Sequence, residues 1–113
     1  MSIQQKVSSL PINIDDNPDL KLIQVASQST RLQILDYLLK NKKMYPTQPE
    51  KKLNIQRRVV SFHLSALEEV GLVKSKYGLS DDDKRPQAVR YYTITEKGKE
   101  IFERIMSMLN SGR

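Results

Sequence analysis

Residues 57–75, RRVVSFHLSALEEVGLVKS, carry the pattern to which the rest of the chain can be referred. At about 100° per residue, Val59, Val60, His63, Leu64, Ala66, Leu67 and Val70 fall on one arc of a helix. Arg57, Arg58, Ser61, Phe62, Ser65 and Glu69 fall on the other. Gly71 stands where helices commonly close on a left-handed residue. Two arginines alone would suit a merely solvated face, whereas this one joins them to two serines and a phenylalanine. That composition needs a partner to explain it.

Upstream, TQPE (47–50) has the form of a capping box, with Thr47 as N-cap and Glu50 three residues on. Pro49 then sits in a first turn, where its missing N–H matters little. A short helix ending near Leu53 is predicted, followed by a tight turn at Asn54–Ile55. Before it, SQSTRLQILDYLLKN (27–41) places Leu32, Ile34, Leu35, Leu38 and Leu39 on a wide apolar arc, as a central core helix does. Ser29 is its expected N-cap. A first helix is expected from Asn17 or Asp19, with Pro18 in its first turn and Leu20, Ile23 and Ala26, flanked by Leu22, as its apolar stripe. Residues 1–17 have no helical period and contain Pro11 and the turn-like DDNPD, so they read as an extended or flexible arm.

Downstream, LVKSKYG (72–78) alternates as a strand does, LSDDDKRPQA (79–88) reads as a loop, and VRYYTIT (89–95) is a second strand rich in β-branched and aromatic residues. Together they predict a hairpin. Thr95 then caps a last helix, EKGKEIFERIMSMLN (96–110), with Ile101, Ile105, Met108 and Leu109 on one face and Phe102 and Met106 beside it. The expected fold class is α+β, mainly α, with residues 18–110 forming one domain behind the arm.

Charge narrows the function. The net charge is +6 over 113 residues, and nearly all of the excess lies in the middle third. Residues 41–79 hold eight basic side chains against three acidic ones, while residues 1–40 balance at four of each. The chain has no cysteine, which excludes disulfides, thiol chemistry and any cysteine-built zinc site. His63 is the only histidine; its place on the apolar arc reads as a buried imidazole held by a backbone carbonyl. The three carboxylates Asp81–Asp83 stand in one loop without the spaced oxygens calcium needs, and read as solvated. No metal, cofactor or catalytic constellation is expected, so the chain does not read as an enzyme. Its apolar runs are far short of a membrane span, and no secretory signal opens it, so a cytoplasmic protein is expected.

A short helix, a tight turn and an amphipathic helix with a basic outer face make a helix-turn-helix, whose second helix lies in the major groove of double-stranded DNA. The hairpin that follows is its wing. ASQSTRLQILDYLL, KKLNIQRRVVSFHLSALEEVGLVKS and RYYTITEKGKEIFERI resemble the winged helix-turn-helix regulators of the ArsR and MarR type, over roughly residues 20–109. SFHLSALEEVGLV is similar to the recognition-helix exit of ArsR-like repressors, and YYTITEKGKEIF to the wing-to-helix exit of MarR and PadR-like proteins. The resemblance implies a homodimer that represses from an inverted-repeat operator. Metal-sensing members of these families use cysteine-containing sites, which this chain lacks.

The groove-facing residues follow from their chemistry. Arg57 and Arg58 can each donate two hydrogen bonds to guanine O6 and N7, Gln56 can pair with adenine or a phosphate, Ser61 and Ser65 can reach bases or phosphates, and Phe62 can meet a thymine methyl. Lys51, Lys52, Lys74 and Lys76 are expected on the phosphate backbone, with Lys84, Arg85 and Arg90 serving the wing. Leu20, Ile23, Ile101, Phe102, Ile105, Met108 and Leu109 are expected at the dimer seam. Two other uses fit the same fold: non-specific architectural DNA binding, for which lysines alone would suffice, and protein contact only. The sequence identifies no small-molecule effector.

Overall fold

A computed structural model describes residues 18–45, 53–79 and 88–111 of the chain. Among these residues the elements run α1 (Pro18–Ala26), α2 (Ser29–Asn41), α3 (Arg57–Glu69), β1 (Val73–Leu79), β2 (Ala88–Ile94) and α4 (Glu96–Ser111). The strands pair antiparallel, from Val73 opposite Ile94 to Leu79 opposite Ala88. A single antiparallel bridge between Met44 and Tyr92 lays the chain after α2 beside β2. The N-terminal arm, the short helix expected over 47–53 and the acidic loop lie outside the described residues, save for Leu53, Leu79 and Ala88.

The apolar periodicity of α2 becomes the centre of the core. Ile34, Leu35 and Leu38 are fully buried, and so are Val60, Leu64 and Leu67 of α3 and Ile101 of α4. Leu72, Val73, Met44 and Tyr92 close the core from the hairpin side, and Ala26 closes it from α1. Burying each large aliphatic side chain contributes roughly 1.5–3 kcal/mol. On the surface, α1 is tied to α4 by Asp19, which meets Lys97 Nζ at 2.8 Å and Arg104 Nη1 at 3.0 Å. The hydrogen bond from Lys97 holds the Asp19 carboxyl below its ordinary range.

The end of α3 is set by glycine. Gly71 has a φ of 83°, which an L side chain rarely adopts. Its N–H donates to the Glu68 carbonyl, and that of Leu72 to the Leu67 carbonyl, the two bonds of a Schellman motif. This occupies Leu72, so β1 begins one residue later than the alternation suggests. Thr95 ends β2 for a similar reason. Its Oγ1 accepts from the Gly98 N–H at 3.0 Å and donates to the Gly71 carbonyl at 2.7 Å, which makes it the N-cap of α4, as expected. Gly98 lets that helix approach closely, because a Cβ there would stand 2.2 Å from the Leu72 carbonyl oxygen.

Three expectations need correction. Ser29 is the first helical residue of α2, and Gln28 occupies the N-cap without a side-chain cap bond. Val59 belongs to the outer surface and is 37% exposed, because the core reaches α3 through Val60, one residue further round. His63 is only half-buried and is held by the side chain of Arg31, not by a backbone carbonyl.

Candidate nucleic-acid interface

The first turn of α3 departs from ordinary helix chemistry. Gln56 occupies the N-cap with no side-chain cap bond, and no acidic residue follows in the first turn. Arg57 and Arg58 are instead the first two helical residues. The partial positive charge of a helix N-terminus opposes cations there by roughly 0.3–1 kcal/mol each. Both side chains are exposed, and no ion pair between described residues includes either. A positive helix end without a side-chain cap bond from Gln56 and two guanidinium groups therefore meet at one exposed end of the helix, which is complementary to an anion or to acceptor-rich base edges.

Along the helix from that point, Arg58, Phe62, Ser65 and Glu69 lie on the arc opposite Val60, Leu64 and Leu67. Phe62 is 64% exposed, and its ring stands edge-on to His63 with centroids 5.2 Å apart. Ser61 is half-buried on the flank it shares with Arg57 and Glu68. Gln56, Arg57, Arg58, Phe62 and Ser65 thus stand exposed on α3 or its cap, with Ser61 at their margin. Val59 joins them at the far edge, and the sequence reading had assigned it inward.

The wing is anchored to this helix by a polar cluster. Ser75 donates to Glu68 Oε2 at 2.7 Å, and Arg90 donates to Glu68 Oε1 and to Ser75 Oγ, each at 3.1 Å. The Arg90 guanidinium also lies 5.2 Å from the centre of the Tyr92 ring. Arg90, expected on the DNA side of the wing, is therefore engaged with α3. The register explains this: Arg90 shares a sheet face with Ser75 and Tyr92, which turns toward α3 and the core.

Lys74 and Lys76 are exposed on the opposite face, beside Tyr91. The Met44 bridge brings Lys43 and Tyr45 to that face as well. Lys43 Nζ lies 5.5 Å from the Tyr45 ring centre and 5.4 Å from that of Tyr91, and the two rings are 6.0 Å apart. Sequence reading missed this lysine–tyrosine group, since a one-residue bridge leaves no periodic signal. Lys51, Lys52, Lys84 and Arg85 lie outside the described residues.

The residues expected at a dimer seam divide in two. Ile101, Phe102 and Ile105 are buried in the subunit's own core, and Leu20 and Ile23 are half-buried. Met108 is 51% exposed and Leu109 58% exposed. They border a groove lined also by Leu32 and Ile105, and a second groove along α4 is lined by Leu39, Phe102 and Met106.

Arg31 is the polar group that the sequence reading passed over. It is only 8% exposed, yet it carries a guanidinium. Its Nε donates to His63 Nδ1 at 3.0 Å and its Nη1 to the Val25 carbonyl at 2.8 Å. Burial, with the adjacent Arg31 charge, holds the His63 imidazole below its ordinary pKa, so it is a neutral acceptor. Among the described residues, no group of histidine and carboxylate side chains is arranged to hold a metal ion, and no helix is long and apolar enough to cross a membrane.

Comparison with known proteins agrees with this geometry. Residues 30–112 match the family model of the winged helix DNA-binding domain. No curated protein matches the chain in sequence. Among solved structures, the chain is similar to a transcriptional regulator homologue from Pyrococcus horikoshii, at 28% identity and a TM-score of 0.67, over 82% of this chain and 91% of that one. It is similar in fold to a regulator of the MarR family from Enterococcus faecalis, at 21% identity and a TM-score of 0.67, over 92% and 87% of the two chains. The transcriptional repressor PagR of Bacillus anthracis gives 24% identity and a TM-score of 0.63, over 81% and 97%.

Proposed function

The chain belongs to the winged helix DNA-binding domain family, and on that premise we propose that it is a sequence-specific transcriptional repressor. In this reading it acts in the cytoplasm as a homodimer on an inverted-repeat operator in double-stranded DNA. The observation that carries the proposal is the first turn of α3, where two exposed arginines stand at a helix N-terminus that ordinarily disfavours them. A cost of this kind at one point of the surface is expected where the partner repays it. Arginine rather than lysine at that point favours base readout over backbone attraction alone.

Each α3 enters the major groove with Arg57, Arg58, Gln56, Ser61, Phe62 and Ser65 toward the bases. Lys74 and Lys76 follow the phosphates, together with Lys51 and Lys52, and Lys84 and Arg85 serve the wing tip. The dimer forms along α4 through Met108 and Leu109, with α1 beside it. Similarity to PagR supports repression in place of activation.

Selection of the purified protein against a randomised duplex pool at physiological salt tests the reading. Enrichment of an inverted repeat with half-sites about 10–10.5 bp apart, or a multiple of that spacing, is the expected result. Retention of DNA without enrichment would replace it with architectural binding, and no retention at all would leave a protein-contact module.

A further inference from the structure

We propose that Arg31 and His63 are positioning residues for DNA recognition: Arg31 ties α3, through the neutral imidazole of His63, to the C-terminal end of α1. The inference rests on the reading that α3 is the groove-entering helix, and adds what holds that helix in place.

Three observations meet at Arg31. It is buried, and no ion pair between described residues includes it. A guanidinium in such a position is retained for its hydrogen bonds, because burial of an unpartnered charge is strongly unfavourable. Its two hydrogen bonds to described residues run to different elements: one to His63 on α3, the other to the Val25 carbonyl in the last turn of α1, where a cation also complements the helix dipole. Arg31 itself stands in the first turn of α2. One side chain thus fixes three helices relative to one another, and it does so behind the exposed arc of α3 with little exposed surface of its own to offer DNA.

The link depends on protonation. His63 Nδ1 accepts from Arg31 only while it is unprotonated, and an imidazolium there would face the guanidinium at hydrogen-bond distance. From α2 the charged group acting on His63 is Arg31; from α1 the Arg31 cluster receives only the Val25 carbonyl; on α3 the adjacent ring is Phe62. No described carboxylate acts on the imidazole to offset the repulsion. Because His63 is the only histidine in the chain, a DNA-binding transition on acidification below the ordinary imidazole range that is lost on its substitution reports on this one bond.

The sign of the pH effect separates positioning from simple charge. An imidazolium on a DNA-facing helix adds a cation and, acting by charge alone, strengthens binding as pH falls. Positioning predicts the reverse. The test compares wild type, His63→Asn, His63→Leu and Arg31→Lys as full chains, using the duplex enriched by selection at pH 7.5 and 5.0, with urea unfolding to establish that each variant is folded. Asparagine can present an oxygen near the Nδ1 position without titrating, whereas leucine leaves Arg31 Nε unpaired.

Wild type is expected to lose affinity at the lower pH, moving toward that of His63→Leu, while His63→Asn holds its affinity across the range and His63→Leu is about tenfold weaker than wild type at pH 7.5 and does not weaken further at pH 5.0. Arg31→Lys, a single ammonium unable to keep the same two-armed geometry, is expected to resemble His63→Leu. A folded His63→Leu that binds within about twofold of wild type overturns the inference and leaves the function standing. So does an affinity that rises on acidification and ceases to do so in His63→Asn. Failure of wild type to retain any duplex at pH 7.5 removes the function, and this inference with it.

Discussion

In the proposed reading, Arg57 and Arg58 each trade stability for recognition. Their place in the first turn of α3 sets them against the helix dipole, so removing either charge should leave the fold unchanged or stabilise it by roughly 0.3–1 kcal/mol. The same change should weaken binding to the preferred site by about 1–3 kcal/mol and relax discrimination at one base pair per half-site. Urea unfolding and repeated selection with Arg58→Ala measure both effects. A parallel loss of stability and affinity would mean that the arginine is structural. The helical period made these two arginines conspicuous in the sequence. It did not reveal Arg31 or the true orientation of Val59. Arg31 contacts a residue 32 positions away, and no local pattern encodes a bond of that span. Val59 is apolar and on the inward arc by type, yet the packing centre of α3 lies on Val60, Leu64 and Leu67 and leaves it outside.

At the scale of the elements, boundaries were legible where a side chain or a glycine creates them. Thr95 was read as a cap and is one, bonded to the Gly98 N–H and to the carbonyls of Gly71 and Leu72. Thr95→Ala should therefore cost about 1–2 kcal/mol by urea unfolding. Ser29→Ala should stay within about 0.5 kcal/mol, since Ser29 is not the cap that its residue type suggests. Gly98→Ala is expected to be worse than either, by about 1–3 kcal/mol, because the new Cβ meets the Leu72 carbonyl, a backbone atom with little room to move. Glycine is an unfavourable residue inside a helix, and the approach of α4 to the turn after α3 explains its presence at 98. Nor does strand alternation show that Arg90 faces Glu68. That pairing follows from the hairpin register and from the docking of the wing on α3.

For the whole molecule, the middle third of the chain supplies both the basic excess and the proposed groove-entering helix, while α4 supplies exposed apolar surface. Met108→Glu with Leu109→Glu should change subunit stability by no more than about 1 kcal/mol, as both side chains are more than half exposed. If α4 is the seam, sedimentation should show a monomer and binding to the inverted repeat should fall toward that of one half-site. A variant that remains dimeric would place the seam elsewhere.

Stability against pH is a property of the whole chain, and the range just below neutrality is where its single histidine is expected to act. His63 is the sole histidine, and burial beside Arg31 holds its imidazole below the ordinary value of 6.5. The unfolded chain binds a proton near that value while the folded chain resists it. As pH falls through about 6.5, the unfolded state gains protons that the native state does not, so stability declines until the folded-state pKa is reached. Above neutrality both states carry a neutral imidazole and the effect vanishes. The urea midpoint of wild type should therefore drop between pH 7.5 and 5.5, and that of His63→Asn should be nearly level over the same interval. An equal decline in both proteins would assign the acid sensitivity to carboxylates and remove His63 as its cause.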